Sequence, residues 1–293
     1  MKSVVVLGAT SMLGGEIVRQ LSAKGIEIIR AGRHPDNDIV VDLDSGDAPT
    51  FRILHKADAL IHCASAFGGD NPDGIRENLS VNVAGCAQVL DMVQHTGVRK
   101  IVYAGSLFSD PLIEPDIPLG AYGFSKGEAE RILEWGMTKI GGDFCSLRLP
   151  QLWDTEGICC AHQPWFGRII GYASRGLTLN MPDAGGPRNF MHVCDAAQLL
   201  IKAADTSFVG IRPVSFPVDT DLLEFARQAN AVFGRGGTIK IDAAKKPFRK
   251  MHFPKDESVF DSLGFRPRIS LEDGLILISN AGTAAAFGPL DVQ

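Results

Sequence analysis

Tyr122 and Lys126 stand four residues apart in Tyr122-Gly123-Phe124-Ser125-Lys126. If this run opens a helix, both side chains lie one turn apart on one face. An ammonium beside a phenol favours the phenolate and draws a group with an ordinary pKa of about 10 toward use at neutral pH. Such a tyrosine can exchange a proton with a carbonyl or alcohol oxygen while a nicotinamide moves hydride. Ser106 ends the run Val102-Tyr103-Ala104-Gly105-Ser106, at the carboxyl edge of a candidate strand where ligands of open α/β sheets bind. Its hydroxyl could orient the reacting oxygen. A Tyr-x-x-x-Lys pair alone also arises as an ordinary exposed helix pair, and it gains specificity here from Ser106 and from a nucleotide-type turn near the N-terminus.

That turn is Val4-Val5-Val6-Leu7-Gly8-Ala9-Thr10-Ser11-Met12-Leu13-Gly14-Gly15, which reads as strand, tight turn and helix. Gly8 permits the turn, Gly14 lets the helix pack against the sheet, and the helix N-terminus offers N–H groups to a pyrophosphate. Gly8, Thr10, Ser11, Met12, Leu13 and Gly14 are the candidate cofactor residues of this turn. Ser11 occupies the place of the middle glycine, which crowds the backbone approach slightly. An NAD-type site wants an acid at the tip of the second strand. Here that strand ends Ile28-Ile29-Arg30-Ala31-Gly32-Arg33-His34 with none. Gly32 makes room, and the Arg33 fork suits a phosphate monoester, which argues for NADP(H) with NAD as the alternative. As a structural alternative, Arg33 is a solvated loop charge.

The elements needed to position these residues form an α/β fold, a Rossmann-type doubly wound parallel sheet with a smaller, partly interleaved C-terminal lobe. Strands are expected at Ser3–Leu7, Glu27–Ala31, Ile39–Val41, Ala59–His62, Lys100–Ala104 and Phe144–Leu147. Helices are expected at Met12–Ala23, Thr50–Leu54, Gly74–His95 and Tyr122–Thr138. Residues 1–150, with contributions from about 188–212, form the nucleotide-binding domain. Residues 151–293 form the substrate lobe, with helices at Phe166–Ser174, Val193–Ala204 and Asp221–Phe233 between frequent prolines. The Gly- and Ala-rich tail Asn280–Gln293 reads as frayed.

At 293 residues, 45% hydrophobic and 22% charged, the chain has a globular composition. A net charge of −5 argues against nucleic acid as a partner, and no apolar run reaches the roughly 20 residues of a membrane span. The short apolar start Val4–Leu7 fits a buried strand better than a signal peptide. The six cysteines show no metal-ligand spacing, so no metal is expected, and they read as reduced thiols of a cytoplasmic protein. Adjacent Cys159 and Cys160 could be a redox pair or two small core residues.

These motifs, in this order, resemble the extended branch of the short-chain dehydrogenase/reductase superfamily, the nucleotide-sugar epimerase/dehydratase family. The resemblance runs from Val4 to about Leu275 and also rests on Val41-Asp42-Leu43, Ala57 to Ala64, Val81-Asn82-Val83-Ala84-Gly85, Leu147-Arg148-Leu149-Pro150, Arg188 to Asp195 and Leu263 to Pro267. It implies Tyr122 as acid/base, Lys126 as its activator and ribose ligand, and Ser106 as the third member. It implies that Asp42 and Leu43 contact adenine, that Cys63, Ala64 and Ser65 line the dinucleotide, and that Asn82 supports it. Pro150 joins the cofactor residues, Arg188 meets the substrate's diphosphate, and Gln151 lies near the sugar. The structural alternatives read Asn82 as a cap on local backbone, Arg188 as a solvated loop residue, and His192 as a packed structural histidine.

The family's dehydratases resemble one another in an Asp-Glu pair beside the catalytic hydroxyl, whereas Ser106 is followed by Leu107 and Phe108. The resemblance therefore points to an NADP(H)-dependent reductase of a keto-sugar nucleotide such as an NDP-4-keto-6-deoxyhexose. The alternatives are an NAD-dependent nucleotide-sugar 4-epimerase and a non-catalytic nucleotide-sensing protein of the same fold. Gln151–Trp165 departs from the family pattern, which leaves a non-sugar carbonyl substrate open. A homodimer through helices Gly74–His95 and Tyr122–Thr138 is implied by resemblance alone.

Overall fold

The computed structural model describes residues 1–52, 56–183 and 186–291. In chain order, β1 (Ser3–Leu7), α1 (Met12–Ala23), β2 (Glu27–Gly32), β3 (Ile39–Val40) and β4 (Thr50–Phe51) come first. β5 (Ala59–His62) follows, then α2 (Pro72–Asn78), a π-helical turn at Leu79–Ala84, and α3 (Cys86–Thr96). Next are β6 (Lys100–Ser106), α4 (Ala121–Lys139), β7 (Asp143–Leu149), β8 (Gln151–Trp153), α5 (Pro164–Ser174), β9 (Thr178–Met181) and β10 (Phe190–His192). The chain ends with α6 (Val193–Ala204), β11 (Gly210–Pro213), α7 (Leu222–Phe233), β12 (Thr238–Ile241), α8 (Ser258–Leu263) and α9 (Leu271–Ala281).

Packing divides the chain into two compact units. The first comprises Met1–Leu149, Ala196–Val214 and Asp256–Arg266, and the second the segments Pro150–Asp195, Ser215–Lys255 and Pro267–Gln293.

The first unit holds an eight-stranded sheet of order β11-β7-β6-β5-β1-β2-β3-β4. All pairings are parallel except β3 with β4. This is the doubly wound fold expected from the alternation of apolar runs and helical segments. β1 is buried along its whole length because helices cover both faces of a parallel sheet. One face carries a continuous core in which Val5, Leu7, Leu60, Ile101 and Tyr103 meet Val89 and Met92 of α3 and Leu133 and Met137 of α4. After β1 the chain winds to β2 and β3 on one side, then returns to β5 on the other. The β1–β5 junction is therefore the topological switch point, where doubly wound sheets open a crevice for ligands.

Two expectations for this unit need correction. Thr50–Leu54 opens as strand β4, with Thr50 and Phe51 pairing antiparallel to Val40 and Ile39, because a β-branched and an aromatic residue suit a sheet edge. Residues 53 and 54 of that span lie outside the described residues. Gly74–His95 is three segments rather than one helix: the π-helical turn at Leu79–Ala84 widens the coil between α2 and α3.

The second unit packs α5, α7 and α9 with two parallel strand pairs, β8–β10 and β9–β12. Phe166 of α5 sits at its centre, with ring centroids 5.3 Å from Phe225, 5.4 Å from Phe190, 5.6 Å from Trp153 and 6.3 Å from Phe287. Gly274 of α9 admits the Trp153 indole, since a Cβ there would lie 1.9 Å from that ring.

The tail is docked, contrary to the reading of residues 280–293 as frayed. Phe287 is only 2% exposed. Thr283 Oγ1 donates to the Thr155 carbonyl at 2.6 Å, and Arg175 Nη2 donates to the Ala285 carbonyl at 2.8 Å. Gly167 and Gly171 lie one turn apart on α5 and let the Gly288 and Phe287 carbonyls approach; a Cβ at either would lie 2.0 or 2.7 Å from them.

Candidate active site

The carboxyl ends of β1 and β5 meet at the switch point, where Cys63 N–H donates to the Leu7 carbonyl at 2.9 Å. Gly8 turns the chain at φ +84, in the left-handed region, and a Cβ there would lie 2.7 Å from Ala64 N. Gly14 carries the same constraint, since its Cβ would lie 2.1 Å from the Gly8 carbonyl oxygen. Both glycines are therefore required by backbone contact. Ser11 is the N-cap of α1 and accepts the Gly14 N–H at 3.0 Å, so the residue at the middle glycine position orders the turn rather than only crowding it.

The backbone N–H groups of Thr10, Met12 and Leu13 have no intramolecular acceptor among the described residues. Together with the positive end of the helix dipole they form a cradle that fits a pyrophosphate. Thr10 is exposed, whereas the Leu13 side chain is buried and only its backbone can face a ligand.

At the tip of β2, Gly32 has φ +152 and its carbonyl accepts the Val41 N–H at 3.1 Å. Arg33 is exposed, with no side-chain partner among the described residues. Asp42 is exposed and its carboxylate accepts the Asp44 N–H at 3.2 Å, which folds the turn after β3. Leu43 lies in the core at 6% exposure, packed against Gly85. Cys63, Ala64 and Ser65 are half-buried along the end of β5, and burial pushes the Cys63 thiol up to about 12.

Ser106, Tyr122 and Lys126 come together in the first unit. Burial pushes the Tyr122 phenol up to about 12, opposed by hydrogen bonds with the Ser106 and Ser65 hydroxyls. Lys126 is buried, which pushes its ammonium down to about 8 against the attraction of Glu130. Its Nζ donates to the Ala104 carbonyl at 2.8 Å and lies 4.0 Å from the Tyr103 ring centroid. The groups that favour the phenolate here are thus the two serine hydroxyls, while the ammonium is engaged by β6. His62, neutral and pushed down to about 3 by burial, lies with its ring tilted against Tyr103, the centroids 5.0 Å apart.

Asn82, on the π-helical turn, spends its whole amide inside the chain. Its Oδ1 accepts from Ala66 N–H at 2.8 Å and Ser65 Oγ at 3.1 Å. Its Nδ2 donates to Ser125 Oγ at 3.0 Å and the Ala66 carbonyl at 3.1 Å. Ser125 in turn donates to the Tyr122 carbonyl at 2.9 Å. Asn82 therefore ties the loop after β5 to the helix that carries Tyr122.

Sequence reading missed Phe67, whose ring stacks on Tyr122 with centroids 5.0 Å apart, and Glu130. Glu130, one turn beyond Lys126, accepts from Ser146 Oγ at 2.6 Å and from Arg148 Nη2 at 2.8 Å. The Tyr122–Lys126–Glu130 spacing of four residues was the available signal for Glu130. Nothing in the sequence marks Phe67, because its role depends on a tertiary contact.

Gln151 and Arg188 come together in the second unit. They line a cavity of about 110 Å³ with Gln163, Trp165, Phe190 and Phe248 among others. Gln151 Nε2 donates to Gln163 Oε1 at 2.5 Å, while its own buried Oε1 has no hydrogen-bond partner among the described residues. Arg188 Nη1 donates to the carbonyls of Pro187 at 2.9 Å and Arg249 at 3.0 Å, and its guanidinium lies 5.6 Å from the Phe248 ring centroid. Pro150 is buried at the start of this unit. Of the vicinal cysteines, Cys159 is buried and Cys160 half-buried; a hydrogen bond from Cys159 pulls the Cys160 thiol down to about 7. His192 is packed against Trp153, with ring centroids 4.5 Å apart, and its Nδ1 accepts the Cys194 N–H. Among the described residues no group of side chains could hold a metal ion, and no helix is long and apolar enough to cross a membrane.

The chain is similar to known proteins over nearly its whole length. It is 23% identical to a UDP-glucose 4-epimerase of Lacticaseibacillus casei over 318 aligned positions, covering 94% of each chain. It is also 23% identical to a dTDP-4-dehydro-6-deoxy-D-allose reductase of a Streptomyces species, covering 89% of this chain and 91% of the relative. Its fold matches the crystal structure of UDP-N-acetylglucosamine 4-epimerase from Bacillus cereus with a TM-score of 0.76 at 21% identity, over 100% of this chain and 99% of that one. Residues 4–213, well over half of the chain and including the glycine turn, Ser106, Tyr122 and Lys126, match the sequence model of one family. The chain belongs to the NAD dependent epimerase/dehydratase family and is an NAD(P)-dependent enzyme of that family.

Proposed function

We propose that the protein is an NADPH-dependent reductase of a keto-sugar nucleotide, with an NDP-4-keto-6-deoxyhexose as the substrate type. The observation that carries the choice of reductase is the tip of β2. It has no carboxylate to hold a ribose diol, and it presents an exposed, unpaired Arg33 beside Gly32, where a 2′-phosphate monoester would be recognised. A reductase must renew its hydride donor after each turnover, and an NADP(H) recognised at its 2′-phosphate fits that requirement better than a retained NAD. Leu107 and Phe108 after Ser106 supply no acid or base for eliminating water, which disfavours dehydration.

In this reading the N–H groups of Thr10, Met12 and Leu13 hold the pyrophosphate, Arg33 the 2′-phosphate, and Asp42 lies on the adenosine side. When bound, the nicotinamide supplies hydride. Ser106 donates a hydrogen bond that orients the substrate carbonyl, and Tyr122 delivers its phenolic proton to that oxygen. A phenol held near 12 is fully protonated at neutral pH, which suits an acid in the reducing direction. The Ser106 and Ser65 hydroxyls favour the phenolate left behind, and the Lys126 ammonium, charged below about pH 8 and held to β6, is assigned to the cofactor ribose. Gln151 and Arg188 are assigned to the sugar and the diphosphate. The exposed Phe124 and Trp135 of α4, 49% and 60% exposed, suit a homodimer through that helix.

A fluorescence titration with NADPH and with NADH tests the cofactor assignment. The expected result is a clear NADPH preference that Arg33→Ala removes, a loss of about tenfold or more for one charge-assisted contact. Tight NAD(H) retained through purification would instead favour a nucleotide-sugar 4-epimerase, like the Lacticaseibacillus relative.

A further inference from the structure

The loop between β5 and α2 meets Tyr122 and the start of its helix in three places. Ser65 reaches the phenol oxygen. The Phe67 ring stacks on the phenol ring, with centroids 5.0 Å and planes 22° apart. Asp70 Oδ1 accepts the Ala121 N–H at 2.6 Å, in the first turn of the helix that carries Tyr122.

The loop is itself held by two asparagines spaced one helical turn apart. Asn82 pairs with both backbone groups of Ala66, the N–H at 2.8 Å and the carbonyl at 3.1 Å. Asn78 does the same to Gly68, the N–H at 3.1 Å and the carbonyl at 2.7 Å. Two side-chain amides thus act as a strand edge for alternate residues of an extended segment, and the residue between them is Phe67. Both asparagines are buried, at 0% and 5% exposure, so water does not compete for these four bonds. Gly68 fixes the far end of the segment, since a Cβ there would lie 2.4 Å from the Gly74 carbonyl oxygen. Phe67 itself is 51% exposed and so is not a core residue. A half-exposed ring on so firmly anchored a backbone is suited to holding the surface it covers.

We propose that Phe67 is a positioning residue for Tyr122, with Asn78 as its anchor. The ring fixes the rotation of the phenol plane and keeps water from one of its faces, so the phenolic proton is presented along one direction. This inference rests on the reading of Tyr122 as the proton donor.

The test uses full-length protein carrying 3-fluorotyrosine, which reports three tyrosines by fluorine NMR; Tyr122→Phe assigns the signal of interest. In Phe67→Ala the Tyr122 resonance is expected to move through loss of the Phe67 ring current, and the other two to stay in place. Asn78→Ala, with Phe67 intact, moves the same resonance. In parallel, kcat for NADPH oxidation with the keto-sugar nucleotide falls on the order of ten- to hundredfold in Phe67→Ala, the scale of a misplaced reacting group. NADPH affinity stays unchanged. Phe67→Trp, which keeps a flat aromatic ring and adds no tyrosine, restores a ring-current shift and the rate, while Phe67→Leu, which fills volume without a flat ring, restores neither. An unmoved Tyr122 resonance in Phe67→Ala, or a leucine variant as fast as wild type, overturns the proposal. Turnover surviving in Tyr122→Phe would remove the proton-donor reading instead, and the fluorine signal would still decide whether Phe67 holds the ring.

Discussion

Burial sets the proton chemistry at the scale of single residues. It raises Tyr122 to about 12 and lowers Lys126 to about 8, so over the neutral range the phenol keeps its proton and the amine keeps its charge. The sign of the resulting pH dependence follows. A lysine ordinarily loses its charge near 10.5, and one held near 8 loses it earlier, so the charge-assisted hold on the cofactor ribose assigned to Lys126 fades as pH rises through about 8. His62, Tyr103, Glu130, Cys63 and Cys86 surround this ammonium; burial keeps His62 neutral and Tyr103, Cys63 and Cys86 protonated, while Glu130 attracts the charge. The reduction kcat/KM measured from pH 6 to 10 should therefore fall above about pH 8 in wild type and hold to higher pH in Lys126→Arg. A wild-type profile flat to pH 10 would contradict this. Tyr122, Lys126, Gly8 and Gly14 were legible in the sequence because each depends on local spacing. Phe67 and Asn78 were not, because a side chain pairing with loop backbone leaves no periodic trace.

At the scale of elements, α4 is held to the sheet by a buried charged cluster. Glu130 of α4 accepts from Ser146 and Arg148 of β7, and Arg148 Nη1 reaches Asp110 Oδ2 at 3.3 Å. The Glu130 side chain is 1% exposed and that of Arg148 19%, so removing one partner strands a charge away from water. Arg148→Met should cost about 3 kcal/mol or more in urea unfolding, and Glu130→Met in the same chain should recover part of that loss. A single variant within 0.5 kcal/mol of wild type would show that the cluster is not coupled to folding. Six strands of the first unit were readable because a parallel sheet buried on both faces demands unbroken apolar runs, whereas the edge strand β11 is only part-buried and ends on a proline. β4, β8 and β10 were not, because two- and three-residue strands are defined by their partners rather than by their own pattern.

At the scale of the whole molecule, the last described residues belong to the core of the second unit. Phe287 closes the ring cluster around Phe166, and the tail carbonyls fill the space that Gly167 and Gly171 leave on α5. Phe287→Ala should therefore destabilise by about 3 kcal/mol or more, read in chemical denaturation. An unchanged midpoint would restore the view of a frayed tail. That view failed because Gly and Ala content says nothing about whether small residues exist to admit a partner's backbone. The ordering of the main sheet, by contrast, follows from the alternation of strands and helices, which fixed the switch point and hence the place of the site.

Net reduction of a keto-sugar nucleotide with Tyr122 as the proton donor is tested most directly by turnover of an NDP-4-keto-6-deoxyhexose with NADPH deuterated at the transferable position, analysed by mass spectrometry. The expected result is stoichiometric NADPH oxidation, deuterium at the former carbonyl carbon, and loss of both in Tyr122→Phe. Interconversion of NDP-hexoses without NADPH consumption would contradict it and identify an epimerase.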